Sequence, residues 1–294
     1  MTVQTRPPQG KTTAPAPWAG PTRLATELSA LLGLVSAVAA AGSLARPSLL
    51  SGTPVTDGNL RGTALVVLVV GLPVLTWGSL SARRGSVRGL VLWLGAAAYL
   101  TYQGVMFCFG TPINALFLTY VAMLGLGVWT LATLLPATAE PAVADRVDVH
   151  TPYRLAAVTL GVFAALNALA WLVRVVPVAW TGDPPDALDG SGLITSPVWV
   201  QDLAFWIPAA LVVSVIAWRR LARGAVLAAA MLTFYVIECL SVASDQWWGV
   251  RADDTHPGVA SMSAVPGGIA VAVITAAPLL LLLRHVDAPG RAPR

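Results

Sequence analysis

The residues with the clearest potential for chemistry are polar side chains that lie within apolar stretches. Glu238 is the foremost of them, because it lies in the largely apolar run from Arg223 to Gly249. About 20 apolar residues cross a ~30 Å hydrocarbon layer at about 1.5 Å per residue, which puts Glu238 roughly two-thirds of the way across. A charge at that depth costs several kcal/mol unless it faces protein or water, so Glu238 marks a candidate functional site.

Further polar residues fall at a similar depth in other predicted spans. Residues three or four positions apart share a helix face, which groups the polar residues of the third span and those of the seventh. Others open the fourth and sixth spans or lie in the outer part of the fifth. The candidate ligand-binding residues are Glu238, Asp202, Gln103, Tyr102, Tyr99, Asn114, Asp245, Asn167 and Arg174.

The charged candidates also have structural interpretations. Asp202 could cap the N-terminus of the sixth helix, where unpaired amides favour an acid. Asp245 and Arg174 could be solvated at the membrane interface. Glu238 could be a buried acid that joins helices through hydrogen bonds. Its predicted partners are Tyr99, Tyr102 and Gln103.

The composition identifies a membrane protein. Hydrophobic residues make up 56% of the 294 residues and charged residues only 11%, whereas about a quarter of a soluble domain is charged. The net charge of +4 is explained by basic residues that set membrane topology, so a nucleic-acid partner is not expected. The lipid bilayer is the partner that the composition predicts.

Hydropathy over a window of about 19 residues predicts an all-α, polytopic transmembrane helical bundle of about eight spans. A disordered cytoplasmic tail is expected at 1–21, the transmembrane domain at 22–285 and a short cytoplasmic tail at 286–294. The predicted spans are 24–45, 62–81, 88–109, 113–135, 154–176, 199–218, 224–245 and 262–283.

The loops alternate in character, and this alternation predicts an orientation. Connections 81–88 and 218–223 are short and rich in Arg, whereas 46–62 and 181–197 are rich in Gly, Pro and Asp. Basic residues favour the cytoplasmic side. All Lys and Arg residues fall on the N-terminal side of the membrane except Arg46, Arg61, Arg174 and Arg251. We therefore expect a multi-pass protein of the plasma membrane with both termini in the cytoplasm.

A weak internal similarity suggests a duplication. Residues 73–103 and 208–238 align at a constant offset, which matches Pro73 with Pro208 and places Gln103 opposite Glu238. A four-plus-four parallel repeat is therefore one interpretation, and such repeats occur among transporters. The other is chance agreement between low-complexity apolar segments.

The segment YQGVMFCFGTPINALFLTYVAMLGLGVW, at 102–129, resembles one in uncharacterised bacterial multi-pass integral membrane proteins of actinobacterial type. The shared features are an aromatic helix end, an FG turn and an Asn before LFL.YVA, with fainter similarity at 199–211. The resemblance implies a common fold and a role for Asn114. It implies no reaction or substrate.

Familiar catalytic and cofactor motifs are absent from the sequence. There is no phosphate-binding loop, dinucleotide fingerprint, HExxH or GxSxG pattern, and the two cysteines have no CxxC spacing. The outer stretch 251–258 brings Asp253, Asp254 and His256 together, which we interpret as a solvated loop rather than a metal site. No cofactor and no metal are predicted, and catalytic residues are not indicated.

Three functions remain open. The leading hypothesis is a protein that binds or transports a small molecule or ion through an outward-open polar cavity. A membrane-embedded enzyme that acts on a lipid-linked envelope substrate is the second, with Asp202 and Glu238 as acid and base. A non-catalytic accessory subunit is the third. Neither the substrate nor the oligomeric state is indicated.

The predicted orientation can be tested with reporter fusions. Fusions at Arg84, Arg220 and the C-terminus should report a cytoplasmic location, and fusions within 181–197 should report the outside, because of the charge asymmetry. A cytoplasmic signal from 181–197 would overturn the orientation.

Overall fold

The computed structural model describes residues 18, 20–148, 150–183 and 185–287. Most of the two predicted tails therefore lies outside the described residues. Trp18 falls within the predicted N-terminal tail and is nevertheless buried in the core, with 5% of its surface exposed. At the other end, Val286 pairs with Val147 in a single β-bridge, so the chain is held against the bundle just before the described residues end.

Eight helices in the described part of the chain are long and apolar enough to cross a membrane. This confirms the predicted all-α polytopic bundle, and no strand is assigned in the same residues. We label them in chain order. They are α1 (Arg23–Ala45), α2 (Pro54–Arg83), α3 (Val87–Phe109), α4 (Phe117–Ala139), α5 (Tyr153–Thr181), α6 (Pro197–Trp218), α7 (Ala222–Ala252) and α8 (Ala264–His285).

Helices α3 and α7 form the centre of the bundle. In their most apolar stretches 83% of the residues of α3 and 67% of those of α7 are buried, against 22–39% in the other six helices. The outer helices carry large apolar side chains that remain exposed, such as Leu118 at 78% and Val273 at 65%. Since apolar residues on an outward face are expected where lipid replaces water, these exposed faces are suited to contact the bilayer.

Helix α2 begins earlier than the sequence predicted. Its first turns were assigned to the loop 46–62, but the helix starts at Pro54, and proline is favoured in a first turn. The carboxylate of Asp57 accepts a hydrogen bond from the Gly52 amide at 3.0 Å. The hydropathy window missed these turns because they are polar, although they are helical.

Two glycines bring the polar part of α2 against α7. A Cβ added to Gly58 would lie 2.7 Å from the Trp248 carbonyl oxygen, and one added to Gly62 would lie 2.5 Å from that of Ser244. In return, the Ser244 hydroxyl donates to the Gly62 carbonyl at 2.8 Å. The two backbones are therefore packed more closely than any larger residue would permit.

The backbone irregularities of the two halves recur at the same spacing. A π-helical turn at Val67–Gly71 precedes Pro73, and another at Asp202–Trp206 precedes Pro208. Left-handed residues follow at Gly85 and Arg220, in the turns that lead into α3 and α7. Every one of these features is repeated 135 positions later, the separation of Gln103 and Glu238. The local geometry thus supports the parallel repeat suggested by the alignment.

Close packing of α2 on α7 can be tested at Gly62. Gly62→Ala should lower the melting temperature in detergent, because the new methyl group meets α7 backbone and overpacking costs about 1–3 kcal/mol. Gly125→Ala is the matched control, since no atom lies within 4 Å of a Cβ built there and alanine is the better helix former. Equal melting temperatures for the two variants would contradict the packing.

Candidate functional site

A cavity of about 410 Å³ lies between the central helices and the loops that follow α5 and α7. We call it the polar cavity, and we call the end of the bundle where it lies the acidic-loop end, defined by the α1–α2, α5–α6 and α7–α8 loops. Seven of the nine predicted site residues line it. They are Tyr102, Gln103, Asn167, Arg174, Asp202, Glu238 and Asp245.

Glu238 lies near the midpoint of α7 and pairs with α3 across the cavity wall. The Gln103 side-chain amide donates a hydrogen bond to Glu238 Oε2 at 2.6 Å. Gln103 is 1% exposed, whereas Glu238 is partly exposed to the cavity. The prediction that Glu238 faces the third span is confirmed, with Gln103 as the partner among the three proposed.

The remaining proposed partners have separate roles. Tyr102 lines the cavity, and its ring lies 5.6 Å from that of Phe234. Tyr99 is fully buried and donates to the Ser241 hydroxyl at 3.2 Å. Depth and helix face therefore predicted the contact between α3 and α7 correctly. They did not distinguish Tyr102, which lines the cavity, from Tyr99, which lies about one turn earlier and is packed in the core.

Asp202 is held by two neutral donors from α5. Its Oδ2 accepts from the Trp171 indole at 2.8 Å and from the Asn167 amide at 3.2 Å. The alternative that Asp202 caps the sixth helix is wrong, because the helix begins at Pro197 and the Ser196 hydroxyl accepts from the Trp199 amide. Asp202 instead opens the π-helical turn of α6 and is 6% exposed.

Asp245 and Arg174 complete the charged lining. Asp245 lies two turns beyond Glu238 on α7, and its buried Oδ1 has no hydrogen-bond partner among the described residues. Arg174 is exposed, with its guanidinium 5.3 Å from the Trp171 ring centroid. Among the described residues it is the only Lys or Arg in the cavity lining. The interpretation as a side chain solvated at the membrane interface therefore fits the exposed Arg174. It does not fit Asp245, which has a buried carboxylate oxygen.

Asn114 does not reach the polar cavity. In the turn between α3 and α4 its side-chain oxygen accepts from the Leu116 amide at 2.8 Å, and its NH₂ group donates to the Pro112 carbonyl at 3.2 Å. These bonds shape the turn that precedes α4. The local role is structural, and the polar cavity is formed without Asn114.

Sequence reasoning missed the contribution of α2 to the cavity. Thr56, Asn59 and Thr63 line it and lie at helical spacing on one face. This spacing was visible in the sequence, but Thr56 and Asn59 fell in the predicted loop 46–62, and Thr63, in the predicted second span, was not among the candidates. Trp199 also lines the cavity, with its ring 6.3 Å from that of Trp171.

The cavity exists because the two halves differ at the glycines of α2. The positions equivalent to Gly58 and Gly62 in the second half are Leu193 and Pro197, and both line the cavity. Helix α2 packs closely along α7, whereas α6 contacts α3 mainly through its first turn. The larger residues of the second half thus leave a space where the first half is closed.

The loop after α7 does not assemble a metal site. Asp253 Oδ1 accepts from the Thr255 hydroxyl at 2.7 Å and from its amide at 3.0 Å. These two hydrogen bonds lower the pKa of Asp253. No group of three His, Cys, Asp or Glu residues in the described part of the chain is placed to hold a metal ion.

The chain matches no family model, no curated protein and no solved structure at a significant level. Its fold class is that of an integral membrane protein with eight spans. The chemistry of the polar cavity must therefore supply the functional inference.

The Gln103–Glu238 hydrogen bond can be tested by a double-mutant cycle. Glu238→Leu should destabilise the protein by about 1–3 kcal/mol, because it leaves the buried Gln103 amide unpaired, whereas replacing both partners should cost less than the sum of the single changes. Glu238→Gln keeps an acceptor and should retain most of the stability. Melting temperatures in detergent measure the four proteins of the cycle and the Glu238→Gln variant, and a stable Glu238→Leu variant would contradict the pairing.

Proposed function

We propose that the protein binds a small molecule or ion in the polar cavity and moves it across the membrane. The observation that carries the proposal is the gathering of polar residues from five helices around one space within the membrane-spanning bundle. Substrate sites near the midplane, between related halves, are typical of transporters built from repeats. A volume of about 410 Å³ falls within the range of roughly 300–1,000 Å³ usual for small-molecule sites.

The direction of access follows from the charge asymmetry of the loops. We place the acidic-loop end at the outer face of the plasma membrane and both termini in the cytoplasm, because the short Arg-rich connections lie at the opposite end. The cavity then receives its ligand from outside. From the resemblance of 102–129 to segments of bacterial multi-pass membrane proteins, we propose a common fold with them.

A membrane-embedded enzyme is the second candidate. Asp202 and Glu238 line the same cavity, as an acid and base that act on one lipid-linked substrate would require. Each already accepts hydrogen bonds from fixed neutral donors, which suits ligand binding at least as well as proton transfer. Deletion of the gene would change the lipid or glycan profile under the enzyme hypothesis and leave it unchanged under transport.

Access to the cavity can be tested with a matched pair of cysteine variants. In a background with Cys108→Ala and Cys239→Ala, Val242→Cys places a thiol in the cavity lining. Val69→Cys places one on an outer helix, where 59% of the valine surface is exposed on the face suited to lipid. A charged, membrane-impermeant methanethiosulfonate added from outside should label Val242→Cys and leave Val69→Cys unlabelled.

The labelling experiment has a clear adverse outcome. An unreactive thiol at 242, in a variant with the melting temperature of the background, would show that water does not reach the cavity from outside. Flux through it would then be excluded in that state. Equal labelling of both variants would show that the reagent does not distinguish cavity from lipid, and would equally remove the support.

A further inference from the structure

We infer that the occupant of the polar cavity is a small organic ammonium ion, held by Glu238 and Asp202 between aromatic rings. This inference rests on the proposed function, because it names the ligand class of the same cavity. It follows from the balance of charge, the free acceptor atoms, the aromatic lining and the size of the space.

The charge of the lining is acidic. Three carboxyl groups face the cavity, those of Asp202, Glu238 and Asp245, against the one guanidinium of Arg174. None of the three acids forms an ion pair with a described residue. A buried carboxylate without a counter-charge is costly, so a ligand that brings a positive charge would relieve this cost.

Acceptor atoms are available at the right places. Among the described residues the hydrogen bond to Glu238 uses Oε2 and leaves Oε1 free to accept, while Asp202 accepts from Trp171 and Asn167 through Oδ2 and lies against the Tyr102 hydroxyl. The Tyr235 hydroxyl also lines the cavity, is buried and has no partner in the same residues, with 4% of the tyrosine exposed. Ammonium groups carry only donors, and they therefore complement a site whose vacant atoms are acceptors.

Aromatic rings form much of the remaining wall. Phe234 lies 5.6 Å from Tyr102, and Phe163 lies 4.4 Å from Tyr235, measured between ring centroids. Trp171 extends the aromatic lining toward the mouth. The faces of such rings attract cations, most strongly where water is excluded. A site made of carboxylates and aromatic rings is suited to an organic cation more than to an anion or a sugar.

The polar cavity is poorly suited to a bare metal ion, because of its ligand geometry and its volume. Metal ions need several ligands at about 2.0–2.6 Å, and no group of three His, Cys, Asp or Glu in the described residues is close enough to supply them. The cavity of about 410 Å³ instead accommodates an ion with a carbon skeleton. Its skeleton would lie against the rings and its charge against the acids.

Arg174 opposes the cation at the entrance. Its guanidinium is exposed over Trp171, about two helical turns from Asn167 on α5. Water and salt screen an exposed charge far more than a buried one, so Arg174 affects entry more than the bound state. Arg174→Gln should therefore speed the association of an ammonium ion.

The experiment compares matched ligands on the purified full-length protein in nanodiscs. Phenethylamine is paired with its neutral analogue 2-phenylethanol and with the anion phenylacetate, and choline is paired with its neutral isostere 3,3-dimethylbutanol. Isothermal titration should show saturable binding of at least one of the two cations. The neutral and anionic analogues should bind at least tenfold more weakly.

Variants then assign the binding to the cavity. Glu238→Gln and Asp202→Asn should each weaken cation binding at least tenfold while keeping the melting temperature, because the amide retains an acceptor but not the charge. Glu27→Gln is the control, since Glu27 forms an exposed pair with Arg23 on α1 and should leave binding unchanged.

The outcomes separate this inference from the proposed function. Binding of an alcohol or of phenylacetate as tight as that of the cations would overturn the ammonium assignment and leave a ligand-binding cavity in place. Binding of no probe at all, with a reactive thiol at 242, would also overturn the assignment alone. An unreactive thiol at 242, together with binding of no probe, would overturn both the ammonium assignment and the proposed function.

Discussion

The fold depends on one constraint, which is that a carboxyl group within a membrane-spanning helix must meet protein or water and not acyl chains. Glu238 satisfies it through the 2.6 Å hydrogen bond from Gln103. That bond joins the two most buried helices of the bundle, and it lies near the midpoint of α7 and toward the acidic-loop end of α3. The remaining helices surround this central pair and present their apolar faces outward.

The pairing also explains the relation between the two halves. Residues related by a two-fold rotation touch each other only near its axis, and three contacts of this kind join positions 135 apart. Besides Gln103 with Glu238, they are Gly95 against the backbone of Ala230 and the Thr56 hydroxyl on the Ser191 carbonyl. The three contacts follow one another from the Arg-rich end to the acidic-loop end. These contacts lie where the axis of a parallel repeat would run, and the cavity lies where Leu193 and Pro197 depart from that symmetry.

Much of the fold could be predicted because hydropathy reports on lipid contact directly. All eight spans were found, while the start of α2 at Pro54 was missed because its first turns carry the polar residues Thr56, Asp57 and Asn59. The contact of Gln103 with Glu238 was anticipated by depth and by the repeat. The positions of Tyr99 and Asn114 outside the cavity could not be predicted. Depth fixes the level of a side chain in the membrane and not the direction in which it points. The cavity itself depends on how far α6 stands from α3, which only the packing reveals.

The central claim is that Glu238 lies in a ligand-accessible space between two related halves. An experimental structure of the full-length protein in a nanodisc, determined with a saturating ammonium ligand, tests it most directly. We predict Gln103 within hydrogen-bond distance of Glu238 and ligand density between Glu238 and Asp202. Glu238 directed toward lipid, or a space between α3 and α6 filled by side chains, would contradict the account.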